Sequence, residues 1–165
     1  KITDLEFNND TILLNTDYLT YKDDSEYDLI IGNPPYFVMP KSKVDKKYYN
    51  LFDGRPNIFI MFIICSLDKL AKNGIMCFVL PKNFLNCLYY DKLRNLINKN
   101  YTILNIHDTS SEKFIDTQQD TMIFTIQNKK PKSNGKWVME KQGYTIFNDN
   151  ISKYYNSVEN RKLST

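Results

Sequence analysis

Glycine and proline are scarce in this chain, five and six in 165 residues, and histidine occurs once. Long apolar runs are missing as well. The longest, "IFIMFIICSL" at 58–67, meets Asp68 and Lys69 well short of the about 20 residues that a bilayer-spanning helix needs, so no membrane segment is expected. Neither sign of charge dominates: 22 basic and 19 acidic residues leave a net +3, which permits contact with a polyanion without arguing for it. The lone His107 has no second imidazole with which to share a metal and is expected to pack in the core or at a strand end. Cys65, Cys77 and Cys87 are odd in number and lack the CxxC spacing of a zinc site, so no metal is expected. They read as reduced core thiols of a cytosolic-type compartment. The chain opens at Lys1 without an initiator methionine or a signal-peptide pattern and is expected to be part of something longer.

What is present is enough for a core: 42% hydrophobic and 25% charged residues fit one globular domain. "TILLNTDYL" (11–19) reads as a short strand ending at Asp17. "YDLIIGN" (27–33) reads as a second strand, its continuous apolar run marking it as buried on both faces. Residues 37–56 are polar, basic and turn-rich, and predict a loop with at most a short irregular helix; loops of that length in compact domains usually serve function. Residues 57–72 predict a helix stopped at Asn73-Gly74, and "IMCFVLP" (75–81) a buried strand. A helix over 89–100 and strands over 101–108 and 121–127 complete the pattern. Strands alternating with helices imply an α/β parallel sheet covered on both faces, with ligands outside the carboxyl ends of its strands. Asp17 and Asn33 would then share one rim.

The densest local signal is "IIGNPPYFVMP" (30–40), which uses one of five glycines and three of six prolines. A Pro-rich turn could explain one of each. The residue before a proline is driven to extended geometry, so Asn33 and Pro34 are each stiffened by the proline next in the chain. Such a loop presents the Asn33 side-chain oxygen and the Pro34 carbonyl side by side, with Tyr36 beyond Pro35 as a flat surface. Two convergent acceptors and an aromatic plate suit a planar amino group on a conjugated ring or carbonyl. Accepting both of its hydrogens favours a tetrahedral nitrogen and stabilises positive charge that develops as it attacks an electrophile. No strong general base is required.

"YDLIIGNPPY" resembles motif IV of S-adenosylmethionine-dependent amino-methyltransferases, the (D/N/S)PP(Y/F/W) signature. The chain as a whole is most similar to the gamma-type adenine-N6 DNA methyltransferases of restriction-modification systems, the Eco57I-like group, over residues 10 to 130. The resemblance implies a class I S-adenosylmethionine-dependent methyltransferase sheet, Rossmann-like and truncated at its N-terminus. It makes Asn33, Pro34, Pro35 and Tyr36 the catalytic loop. "LLNTDYL" looks like motif III and implies Asp17 and Tyr18 as holders of the cofactor adenine. "RPNIFIMFIICSLDKLAKNGIMCFVLPKNFL" is similar to motifs V and VI and implies Phe59 and Phe62 beside that adenine, although their pattern alone reads as core. "EKFIDTQQDTMIFTIQN" resembles motif VIII, which implies that Phe114 stacks on a flipped target base opposite Tyr36; packing under its own loop is the other reading of Phe114.

The family's glycine-rich motif I and its ribose-binding acid have no counterpart, because Gly32, Gly54, Gly74, Gly135 and Gly143 are scattered. Nor does a lysine closely follow Phe114. The expectation is therefore a partial catalytic domain over 1–130 and, over 131–165, a linker with the start of a target-recognition region. The N-terminal half of the fold would come from the parent chain or another subunit. The implied activity is methyl transfer from S-adenosylmethionine to N6 of adenine in DNA, by a cytoplasmic or nucleoid-associated protein. A glutamine-amide protein methyltransferase, an RNA adenine methyltransferase and a non-catalytic subunit are the alternatives the motif leaves open.

Overall fold

The computed structural model describes residues 11–109, 120–131, 138–141 and 144–147. Four strands form one sheet: β1 (Tyr27–Gly32), β2 (Leu70–Pro81), β3 (Thr102–Asp108) and β4 (Thr121–Gln127), in the spatial order β1-β2-β4-β3. Helix α1 (Ile58–Lys69) connects β1 to β2, and α2 (Asp91–Asn100) leads into β3. A separate two-stranded ladder pairs β5 (Val138–Lys141) with β6 (Tyr144–Phe147).

The expected sheet is mixed rather than parallel. β1 and β2 run parallel, whereas β4 is antiparallel to both β2 and β3 and lies between them. Sequence could not give this order, because β3 and β4 succeed one another without a helix in the described residues and could pair on either side. The carboxyl ends of β1, β2 and β3 nevertheless share one rim, since β2 and β3 both oppose β4.

Register shows which face is the core. Ile30, Met76, Phe78, Leu80, Met122, Phe124 and Ile126 lie on one face, opposite one another across the strands, and all but the half-buried Ile30 are sealed. The apolar side of α1 supplies Phe59, Ile60, Ile63, Ile64 and Leu67, and α2 supplies Leu93 and Ile97. On the other face Leu29 and Ile31 are 58% and 70% exposed, so β1 is not buried on both faces. Among the described residues it is an edge strand, and an apolar run is buried only where another layer or strand covers it.

Two element boundaries also differ. Residues 11–17 form no strand, and Ile12, Leu13 and Leu14 stand exposed, because a strand exists only with a partner to receive its hydrogen bonds. α1 ends at Lys69, and Asn73-Gly74 is not its cap but a bulge inside β2, where Tyr27 pairs with Leu70 and Leu29 already with Ile75. Asn73 takes φ 66°, the left-handed conformation that asparagine tolerates, and Asn128 fastens the bulge by donating its side-chain amide to Leu70 O at 2.8 Å and Ala71 O at 3.1 Å. His107 lies near the end of β3 with its side chain exposed rather than in the core. Cys65, Cys77 and Cys87 are free and half-buried.

Candidate active site

Asn33 and Pro34 follow β1 directly, at the carboxyl rim where the strand pattern places them. Pro34 is buried, whereas Asn33 and Pro35 are exposed and Tyr36 is half-buried. The Tyr36 ring meets Phe59 edge-on at 6.1 Å between centroids, and Phe59 in turn packs on Phe84 and Tyr90. The phenol is tethered at its tip: its oxygen lies 2.8 Å from the Val79 carbonyl of β2 and 3.0 Å from Asn33 Oδ1. Burial pushes the Tyr36 pKa up to about 12, so the group is a neutral phenol and not a base at physiological pH.

A second constraint comes from Gly32, where a Cβ would stand 3.2 Å from the Phe78 ring. The bare backbone lets β1 approach Phe78 and opens a small cleft of about 120 Å³ lined by Tyr18, Gly32, Asn33, Pro34, Phe62 and Phe78, among others. Tyr18 and Phe62 are stacked there, 5.2 Å apart with 23° between planes. Ser66, sealed inside α1, donates to Phe62 O at 2.7 Å, so its oxygen receives the Tyr18 hydroxyl hydrogen at 2.9 Å. Burial accordingly raises the Tyr18 pKa. A neighbouring cavity of about 460 Å³ shares Tyr18, Ile30 and Ile31 and runs along the outer side of β1 past Leu29, Tyr27 and Lys69.

Of the residues singled out in the sequence, Tyr18, Asn33, Pro34 and Phe62 line one cleft, with Tyr36 hydrogen-bonded to its edge. Phe59 is not among them: it is completely buried behind Tyr36 and supports the site from the core. Asp17 is exposed in a turn, where its Oδ1 accepts from Leu19 N at 3.0 Å and its carbonyl from Tyr21 N at 2.9 Å. Phe114 lies outside the described residues. Sequence reasoning passed over Ser66 and the Val79 carbonyl; the only trace of the first is one hydroxyl inside the apolar run "IMFIICSL".

The loop after Tyr36 is built rather than slack. Met39 N donates to Pro56 O at 2.9 Å and Ile58 N to Phe37 O at 2.8 Å, closing its base. Met39, Val44 and Phe52 are buried beneath it. Two single 3-10 turns, Lys41–Lys43 and Lys46–Tyr48, carry the exposed Lys41, Lys43, Lys46 and Lys47. Lys41 Nζ lies 4.6 Å from the Tyr49 ring centre and Lys47 Nζ 4.5 Å from that of Tyr48, so cation–π contacts hold part of this basic surface in place. No cluster of metal-ligating side chains occurs among the described residues, and none of their helices is long and apolar enough to cross a membrane.

The model of the Eco57I restriction-modification methylase family matches residues 2–115, which is most of the chain and includes the NPPY loop and both faces of the cleft. The chain belongs to that family. It is 30% identical over 148 residues to the type II methyltransferase M.CvrRI of Paramecium bursaria Chlorella virus XZ-6E, an alignment covering 88% of this chain and 38% of the relative. To the modification methylase CviBIII of Paramecium bursaria Chlorella virus NC1A it is 32% identical over 137 residues, 80% of this chain and 33% of the relative. The chain thus spans about a third of the length of these relatives. Among solved structures it resembles one described as a candidate class I S-adenosylmethionine-dependent methyltransferase from Listeria monocytogenes, with a TM-score of 0.57, 20% identity, and coverage of 72% of this chain and 36% of the other. The fold is the class I methyltransferase fold, seen here in part.

Proposed function

We propose that these residues belong to a DNA methyltransferase that transfers the methyl group of S-adenosylmethionine to the exocyclic N6 of adenine. The observation that carries this reading is the placement of the Asn33-Pro34-Pro35-Tyr36 loop at the rim of β1, fixed to β2 through the Tyr36 phenol and next to an aromatic cleft. Asn33 Oδ1 and the Pro34 carbonyl accept the two amino hydrogens of the target base and draw its nitrogen toward tetrahedral geometry. Tyr36 offers the base a ring face. Because the Tyr36 pKa stands at about 12, the loop works by hydrogen bonding and stacking and not by removing a proton.

The stacked Tyr18 and Phe62 and the apolar strand end fit a flat heterocycle, and they would hold the cofactor's adenine together with the Asp17 turn. When bound, S-adenosylmethionine supplies an electrophilic methyl group. The place of β1 at the edge of the sheet among the described residues supports pairing with further strands, and the exposed Leu29 and Ile31 on its outer face support cover by another layer of the same fold, each supplied by the parent chain or another subunit. Between nucleic acid and a glutamine-bearing protein, the exposed lysines beside Tyr36 favour nucleic acid, whose phosphates attract such a surface.

The test is methylation by the natural full-length protein, with labelled S-adenosylmethionine, unmethylated DNA and separation of the product nucleosides. Label in N6-methyladenosine is expected, and Asn33→Ala should lower it by at least a hundredfold, the usual scale for removing one preorganised hydrogen-bonding group from a transition state, about 2.7–4 kcal/mol. Label that appears only in RNA or in glutamine would overturn the reading.

A further inference from the structure

We propose that Tyr36 is a positioning residue whose phenol orients the Asn33 side-chain amide, turning its oxygen toward the substrate amino group. The proposal rests on the methyl-transfer reading above and adds a cause for the orientation of the Asn33 amide, whose two ends differ only by a half-turn.

The phenol oxygen has two neighbours and one hydrogen. Val79 O, at 2.8 Å, is a carbonyl and can only accept, so it takes that hydrogen. The Asn33 amide, at 3.0 Å, is then left facing an oxygen with only lone pairs to offer. With Oδ1 on that side, two acceptors meet. A half-turn of the amide replaces Oδ1 by Nδ2 with almost no change of shape, and the amide then donates to the phenol. Both contacts are satisfied at once, in the chain Asn33 Nδ2–H to Tyr36 Oη–H to Val79 O.

The same half-turn decides what the substrate meets. With Nδ2 held by the phenol, Oδ1 is the end of the exposed Asn33 amide that faces away from Tyr36 Oη and is left for the substrate. An amino group offers only hydrogens to an acceptor. An amide presenting its own NH₂ would oppose it, whereas one presenting Oδ1 receives it. The phenol stays protonated throughout, with its pKa pushed to about 12 by burial, and the Val79 carbonyl is fixed within β2. Orientation is thereby set by the sheet backbone, through Tyr36, before substrate arrives.

Tyr36→Phe keeps the ring and removes the relay. In the full-length protein with adenine-containing duplex, kcat should fall roughly five- to tenfold, the worth of one net hydrogen bond, with KM and target-base fluorescence from 2-aminopurine unchanged. An Asn33→Asp background removes the need for orientation, because both carboxylate oxygens accept. There the same Tyr36→Phe change should cost less than about twofold. Equal losses in both backgrounds, or a loss confined to KM, would overturn the proposal. Isotope-edited NMR of the Asn33 side-chain amide gives a readout independent of turnover: Tyr36→Phe should shift it and speed its hydrogen exchange, and an unperturbed signal would also overturn the proposal. Were the wild type to methylate no adenine, the reaction reading would fall, while a shifted Asn33 amide would still support the orientation.

Discussion

Phe59 and Phe62 sit three residues apart on α1, and the sequence treats them alike. Their surroundings differ: Phe59 is sealed among Tyr36, Phe84 and Tyr90, whereas Phe62 stacks on Tyr18 at the wall of the cleft. Truncating the two should therefore fail in different ways. Phe59→Ala is expected to lower stability by about 3–5 kcal/mol, the usual cost of emptying a buried aromatic site, seen as a shift in denaturant midpoint. Phe62→Ala should leave the fold nearly intact and weaken S-adenosylmethionine binding by about tenfold in calorimetry on the full-length protein. A large stability loss at Phe62 with unchanged affinity would remove it from the proposed cofactor site. Asn33, Pro34 and Tyr36 were legible as a group because proline stiffens its neighbours locally. The use of Tyr36's tip was not, because Val79 lies 43 residues away in sequence.

Elements are more legible in this sequence than their ends. α2 and the strands β3 and β4 fall within two residues of their predicted bounds, because local periodicity suffices to define them. The stop expected at Asn73-Gly74 is a true backbone irregularity, but it belongs to a strand and not to a helix. A left-handed asparagine with glycine after it ends a helix or bulges a strand equally well, and only the partner strand decides. Here the decision is made by Asn128, whose side chain holds Leu70 O and Ala71 O, and by Gly74, where a Cβ would lie 2.8 Å from Tyr27 O and 2.9 Å from Ala71 O. Asn128→Ala should thus cost about 1–3 kcal/mol by leaving two carbonyls without their partner. Gly74→Ala should cost more, since backbone rather than a flexible side chain would have to move. A thermal melt of each variant checks the order, and a Gly74→Ala variant as stable as the wild type would contradict the bulge. Arg94 makes a related point: fully buried, it donates to Phe84 O and Cys87 O, both at 2.8 Å, and so clasps the turns between β2 and α2. Within "DKLRNL" it looks like one more surface charge.

At the scale of the whole molecule the tyrosines give a common signature. Burial raises the pKa of Tyr36 and Tyr90 to about 12 each and raises those of Tyr18 and Tyr101. In this range the unfolded chain releases protons that the native protein keeps, so unfolding becomes more favourable as pH rises. The stability these groups contribute is complete below about pH 10 and is lost as pH climbs through 12. Tyrosinate absorbance should accordingly lag behind free tyrosine and then rise together with loss of structure; a titration complete by pH 10 without unfolding would contradict the buried aromatic cluster. Local sequence by itself determined that this chain forms an α/β domain and that a proline-stiffened Asn33-Pro34-Pro35-Tyr36 loop follows an apolar strand, because periodicity and proline stiffening both act over a few residues. Tertiary structure alone decided that β4 runs between β2 and β3, that β1 stands at an edge among the described residues, and that Tyr18, Phe62 and Asn33 meet in one cleft. Pairing and burial are relations between segments far apart in the chain, and no window of sequence contains both partners.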